Sequence, residues 1–114
     1  MLDERLISVI EKLTVKSLKG LAYWNKTSRE DSFSIYIGQG RILIERGVGV
    51  YTLTIYNDQG EAVAIENASF DDEVAFFIMN NLYSAASDSY YKVDDLYGKF
   101  LDELDSEGNV GLPF

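Results

Sequence analysis

Residues 32–66, "SFSIYIGQGRILIERGVGVYTLTIYNDQGEAVAIE", decide the fold, because apolar and polar side chains alternate along them with a period of two. Phe33, Ile35 and Ile37 alternate with Ser32, Ser34 and Tyr36. Ile42 and Ile44 alternate with Arg41, Leu43 and Glu45, and Tyr51, Leu53 and Ile55 with Thr52, Thr54 and Tyr56. A fourth run, "EAVAIE", sets Val63 and Ile65 against the smaller Ala62 and Ala64. Successive strand side chains point to opposite faces, so this pattern predicts four strands with one bulkier, inward face that includes Val63 and Ile65. The segments between them, "GQG" at 38–40, "GVG" at 47–49 and "NDQG" at 57–60, are short and carry glycine. Such connections join antiparallel neighbours, so the sheet is expected to be a meander.

A sheet with one apolar face must be covered, and the flanking segments supply helices. Upstream, Leu2, Leu6, Val9, Ile10 and Leu13 recur at helical spacing, with Asp3 and Glu4 in the first turn, where they suit the helix dipole. A helix is predicted from about residue 2 to 13, extending toward Lys19 and stopped by Gly20. Asn25 to Asp31 then reads as a loop, and Trp24 as a lid on one end of the core. Downstream, Ser69 with Asp72 resembles a capping box and starts a second helix near 70. Val74, Phe77, Ile78, Leu82 and Ala85 share one side of that helix, while Phe76, Met79 and Tyr83 fall opposite. One side is expected on the sheet and the other against a third helix or another chain. The third helix, capped by Ser87 or Ser89, carries a stripe of Val93, Leu96, Tyr97, Phe100 and Leu104. Val93, Leu96 and Phe100 are assigned to packing, as are Tyr83 and Tyr97.

The fold class is therefore α+β: an N-terminal helix, a four-stranded antiparallel meander, and two C-terminal helices packed on one face of the sheet. A single domain spans 1–108. The tail, 109–114, ends in the apolar Leu112, Pro113 and Phe114.

Composition narrows the chemistry. At 114 residues the chain can bury a core without metals or disulfides. Cysteine and histidine are both absent, which removes thiolate and imidazole metal sites, Cys-His and Ser-His nucleophile systems and the usual proton shuttle near neutral pH. The glycines match neither phosphate-loop spacing, and "NDQGE" lacks the ligand positions of a calcium loop. Asp71, Asp72 and Glu73 are explained by a helix N-terminus. No enzymatic activity, cofactor or metal is expected. No apolar run approaches the roughly eighteen residues of a membrane span, and "MLDERLISVIEKL" lacks a basic start and a cleavage site. No membrane association and a cytoplasmic location are the expectation.

The net charge of −9 is uneven: residues 1–68 hold nine acids and eight bases, and residues 69–114 hold ten acids and two lysines. An anionic surface repels nucleic acid and favours basic proteins. The candidate partner-binding residues lie in "DSYYKVDDLYGKFLDELD", 88–105: Asp88, Tyr90, Tyr91, Asp94, Asp95, Asp102 and Asp105. Tyrosine suits such a surface because it covers a large area and keeps a polar tip. Asp95 to Lys99 and Lys99 to Glu103 are also i, i+4 pairs able to support the helix.

A helix followed by "YWNKTS", a Phe/Ile strand, "LTIYNDQGEAV" and a helix pair resembles a group of small bacterial domains of helix, antiparallel meander and C-terminal helices. The resemblance implies the fold and carries no activity or site. The expected function is a non-enzymatic acidic protein-binding module, of the kind used by phage or mobile elements as inhibitor, immunity or anti-defence protein, acting on a basic protein surface. Two alternatives stand beside it. One is a small acidic secretion-type chaperone, a homodimer through the second helix. The other is a small-molecule-binding domain with a pocket between sheet and helices.

Overall fold

The structure, a computed structural model, describes residues 2–111; Leu112, Pro113 and Phe114 of the tail lie outside the described residues. In chain order it contains α1 (Glu4–Leu18), β1 (Asn25–Lys26), β2 (Ser32–Ile37), β3 (Gly40–Gly47), β4 (Val50–Tyr56), β5 (Ala62–Ser69), α2 (Glu73–Tyr91) and α3 (Val93–Asp105). The strands form one sheet in the order β1-β2-β3-β4-β5, every neighbour antiparallel. The fold is α+β with a meander, as the alternation requires. It has five strands and not four, because Asn25 and Lys26, expected in a loop, pair with Ser34 and Phe33 at the sheet edge. Two residues are too few to show an alternation.

Register sets the inner face. Phe33 stands opposite Ile44, and Ile44 opposite Leu53. All three are buried under the helices. On β5 the bulkier side chains turn the other way from expectation. Tyr51, Leu53 and Ile55 pair with Ala68, Glu66 and Ala64, so these three occupy the inner side, while Ile65 pairs with Thr54 on the outer side. A register shift between Ile55 and Tyr56 leaves Val63 as the extra residue of a bulge. A slip of one residue exchanges the faces of a strand. Val63 and Ile65 are accordingly exposed, and Ala68 is buried where α2 approaches β5. Ile37, at the far end of β2, is also exposed.

α1 begins one residue after Asp3, whose carboxylate accepts from the Arg5 backbone N–H at 2.7 Å. That same N–H holds the Asp3 carboxyl below its ordinary pKa. The helix buries Ile10, Leu13 and Ser17, and Gly20 follows its C-cap. α2 is capped by Asp72, which accepts from the Ala75 N–H at 3.3 Å; Ser69, the expected cap, is the last residue of β5. The sheet-facing side of α2 carries Phe76, Met79 and Tyr83. The Phe76 and Tyr83 rings lie 5.1 and 5.7 Å from that of Tyr51. Its second apolar side meets α1: Ile78 and Asn81 border Thr14 and Val15. The cover expected from a third helix or another chain thus comes from α1, although Val74 and Phe77 remain exposed.

The largest departure is α3. No residue of it is buried, and the element it mainly meets is α2. Val93, Leu96, Phe100 and Tyr97, assigned to packing, are not core: Leu96 is 44% exposed, Phe100 52% and Tyr97 58%. Nor does α3 lie on the sheet. α2 runs without a break through Asp88 to Tyr91, and the single residue Lys92, left-handed at φ 54° and ψ 50°, joins it to α3. Antiparallel helix pairs need loops of about two to five residues, so α3 cannot fold back along α2. It projects instead. The radius of gyration is 17.0 Å and the extents are 54 × 32 × 25 Å, against roughly 13 Å for a compact domain of about this length.

Candidate functional site

Two features meet at the C-terminal ends of α1 and α2: an open cleft of about 690 Å³ and the projecting α3. The floor of the cleft is held by side-chain hydrogen bonds. Trp24 is buried, and its indole Nε1 donates to Ser17 Oγ at 2.8 Å, while Ser17 Oγ donates to the Leu13 carbonyl at 2.8 Å. Ser89 Oγ on α2 donates to the Ala22 carbonyl at 3.0 Å. These bonds tie the α1–β1 connection to both helices.

Four of the seven residues picked out by sequence come together here: Asp88, Tyr90, Asp94 and Asp95 all line the cleft. Asp88 and Tyr90 come from the last turns of α2, and Asp94 and Asp95 from the first turn of α3, where the helix dipole favours them. Tyr91 does not line the cleft. Its ring lies 6.1 Å from that of Phe33 and 4.9 Å from that of Tyr90, and Tyr90 is itself 5.6 Å from Phe33. Both tyrosines are thus anchored on the edge of the core while keeping exposed surface. Asp102 and Asp105 lie farther out on α3 and are exposed. Asp102 is about 10 Å along the helix from Asp95, at 1.5 Å per residue.

Among the described residues the ion pairs join Arg5 to Asp3, Arg29 to Glu45 and Arg46 to Asp31, and none uses a carboxylate of α3. The Asp95–Lys99–Glu103 spacing does not close into ion pairs. Lys19 and Lys92 are the cations on the cleft wall.

Sequence reasoning missed two parts of the site. Lys19, Tyr23 and Trp24 complete the cleft, and only the tertiary approach of α1 and α2 brings them there. The apolar stripe of α3 was recognised, but its direction was not. Leu96, Tyr97, Phe100, Leu101 and Leu104 face solvent. No local signal separates the two cases, because a helix shows the same stripe whether it faces its own core or a partner.

A second polar cluster is built by Tyr83, Asp31 and Arg46. Tyr83 donates through its hydroxyl to Asp31 Oδ1, which also accepts from Arg46 Nη2. Burial pushes the Tyr83 phenol up to about 12, which makes it a poor base or nucleophile near neutral pH. It is a clamp between the 27–31 loop, β3 and α2. Among the described residues no group of three or more His, Cys, Asp or Glu side chains is placed to hold a metal ion, and no helix is long and apolar enough to cross a membrane.

Compared with protein-family models, curated proteins and solved structures, the chain matches none of them.

Proposed function

We propose that the protein is a non-enzymatic, acidic protein-binding module that presents α3 and the adjoining cleft to a basic partner, in the manner of an inhibitor or immunity protein. One observation carries this reading: among the described residues α3 is an amphipathic helix whose apolar stripe is exposed, flanked by carboxylates with no cation paired to them. Five large apolar side chains left in water are costly, at about 25 cal/mol per Å² of apolar surface, and contiguous apolar surface with a polar rim marks an interaction site. An amphipathic helix laid into a groove is a recurring mode of recognition. The partner that fits has an apolar groove rimmed by lysine or arginine. Electrostatic attraction then speeds encounter, and the apolar stripe supplies the affinity.

The test uses the full chain and two double variants, Asp95→Lys with Asp102→Lys and Leu96→Asp with Phe100→Asp. A partner is captured from native host extract, purified and titrated by calorimetry. Loss of binding in both variants, with binding by the wild type that weakens as salt rises, supports the module. Binding indifferent to both variants, or capture confined to acidic proteins, overturns it.

A further inference from the structure

We infer that Lys92 is a hinge: α2 and α3 are the two halves of one helix, and the chain exchanges between the bent form and an uninterrupted helix over 73–105. In the straight form Asp95 lies about 10 Å beyond Asp88 along the axis, at 1.5 Å per residue, so the cleft loses its α3 wall. The hinge stands on the geometry of the helices alone. Its part in recognition rests on the reading of α3 and the cleft as the binding surface, because only the bent form presents the two together.

The apolar pattern runs through the break. Leu96, Tyr97, Phe100, Leu101 and Leu104 follow Ile78, Met79, Leu82, Tyr83 and Ala86, each by eighteen residues. Eighteen residues are five turns at 3.6 residues per turn. In one unbroken helix the α3 stripe therefore lies in line with the side of α2 that the body covers, where Met79, Leu82, Tyr83 and Ala86 are buried and Ile78 is half-buried. Two helices that were only ever separate would need no common phase.

The bend itself is weakly held. Among the described residues the non-glycine positions with positive φ are Asp31 and Lys92. Asp31 is fixed by Tyr83 and Arg46, as a residue held in a sparsely populated conformation normally is. The Lys92 side chain is exposed and makes no capping bond. α3 thus begins without a side-chain cap, and straightening would return its first N–H groups to the helical ladder. Asp94 and Asp95 oppose this, because their charges suit a helix N-terminus and lose that placement in a continuous helix. The opposing effects are of similar, small size, so both forms are populated.

The chain has no cysteine, so cysteines introduced at the exposed Glu73 and Glu103 can carry spin labels, and pulsed dipolar spectroscopy reads the distance between them. A straight helix sets these positions about 45 Å apart, and the bent form brings them closer. Two populations are expected in the otherwise native chain. Lys92→Gly should raise the ratio of bent to straight by about fivefold or more, because glycine takes the left-handed conformation without steric cost. Lys92→Ile should lower it by a similar factor, because a β-branched residue is all but excluded there. Trp24 fluorescence shows that the body stays folded in each. A single distance, the same in all three chains, overturns the hinge. A partner captured from host extract should bind Lys92→Gly more tightly than the native chain and Lys92→Ile more weakly, and binding that ignores both variants while the distances shift overturns the hinge's part in recognition. If the distances do not move and capture still requires Leu96 and Phe100, the hinge fails and the proposed function stands. If the distances shift as expected and capture is indifferent to Leu96→Asp with Phe100→Asp, the hinge stands and the proposed function fails.

Discussion

The hydroxyl of Tyr83 in the middle of α2 donates to Asp31 Oδ1 at 3.1 Å across 52 residues of sequence, joining the helix to the loop that leads into the sheet. Arg46 bonds the same oxygen at 3.1 Å and holds its guanidinium carbon 4.8 Å from the centre of the Tyr83 ring. Asp31 takes a left-handed φ of 53° to reach both.

Tyr83→Phe removes one of these bonds and should lower the unfolding free energy by roughly 0.5–1.5 kcal/mol near neutral pH, read from urea denaturation. Burial is the main reason the phenol is raised from 10.0 to about 12 in the fold. A group whose folded pKa is raised contributes stability in full below its unfolded pKa and loses it as pH climbs through the folded one. Stability of the wild type should therefore fall between pH 10 and about 12, and Tyr83→Phe should flatten that decline. An unchanged slope in the variant would show that other groups carry the alkaline transition.

Ser17 and Trp24 make a sharper case. Ser17→Ala leaves the buried indole N–H without its acceptor, at a cost of about 1–3 kcal/mol. Adding Trp24→Phe removes the orphaned donor, so the double variant should be less destabilised than the two single losses summed. Because Trp24 is the only tryptophan, its fluorescence follows unfolding in Ser17→Ala directly, and circular dichroism serves the double variant.

Ending the chain after Lys92 should change the unfolding free energy by less than about 1 kcal/mol, since no residue of α3 is buried and only Val93 is half-buried. Amide exchange in α3 of the isolated monomer should be fast, as a lone helix of this length is marginal. A loss of several kcal/mol on truncation, or slow exchange under dilute conditions, would mean that α3 does pack on its own chain.

Gly49 and Gly60 separate backbone strain from steric contact. Both have left-handed φ, 70° and 77°, but a Cβ on Gly49 would stand 3.1 Å from the Phe70 ring whereas one on Gly60 would meet nothing within 4 Å. Gly60→Ala should cost about 1–2 kcal/mol, the strain of the conformation alone. Gly49→Ala should cost more, and trimming Phe70 to leucine in the same chain should return part of the difference.

What was legible in the chain was the period of each segment. Alternation between Ser32 and Tyr56 specified the strands and most of their inner residues, because Phe33, Ile35, Ile42, Ile44, Tyr51 and Leu53 must leave water, whereas Ile37, read with them, is exposed and Ser32, Ser34 and Thr54 of the opposite face are also buried. The end of α1 near Lys19 followed from Gly20, and the acidic end of the molecule from composition. The candidate residues Asp88, Tyr90, Asp94 and Asp95 do share a cleft, although they were chosen for one helix and stand on two. The break between those helices was not legible. Lys92 is neither glycine nor proline, and a left-handed lysine carries no mark of its own.

Tertiary structure alone decided what covers what. On β5 the alternation of "AVAIE" allowed either face, and the register that sets Ala64, Glu66 and Ala68 opposite Ile55, Leu53 and Tyr51 turned Ala64 inward, where α2 comes close to the sheet, and Ile65 outward. On α2 the second apolar side went to α1 and not to α3. A periodic stripe shows that an element has a face to hide, which is a property of side-chain spacing and so resides in the sequence. Which surface hides it depends on register, on hinge length and on the distance between elements, and these exist only once the chain has folded. For α3 no such surface lies among the described residues, and that exposed stripe is the physical basis for proposing the helix as a recognition element.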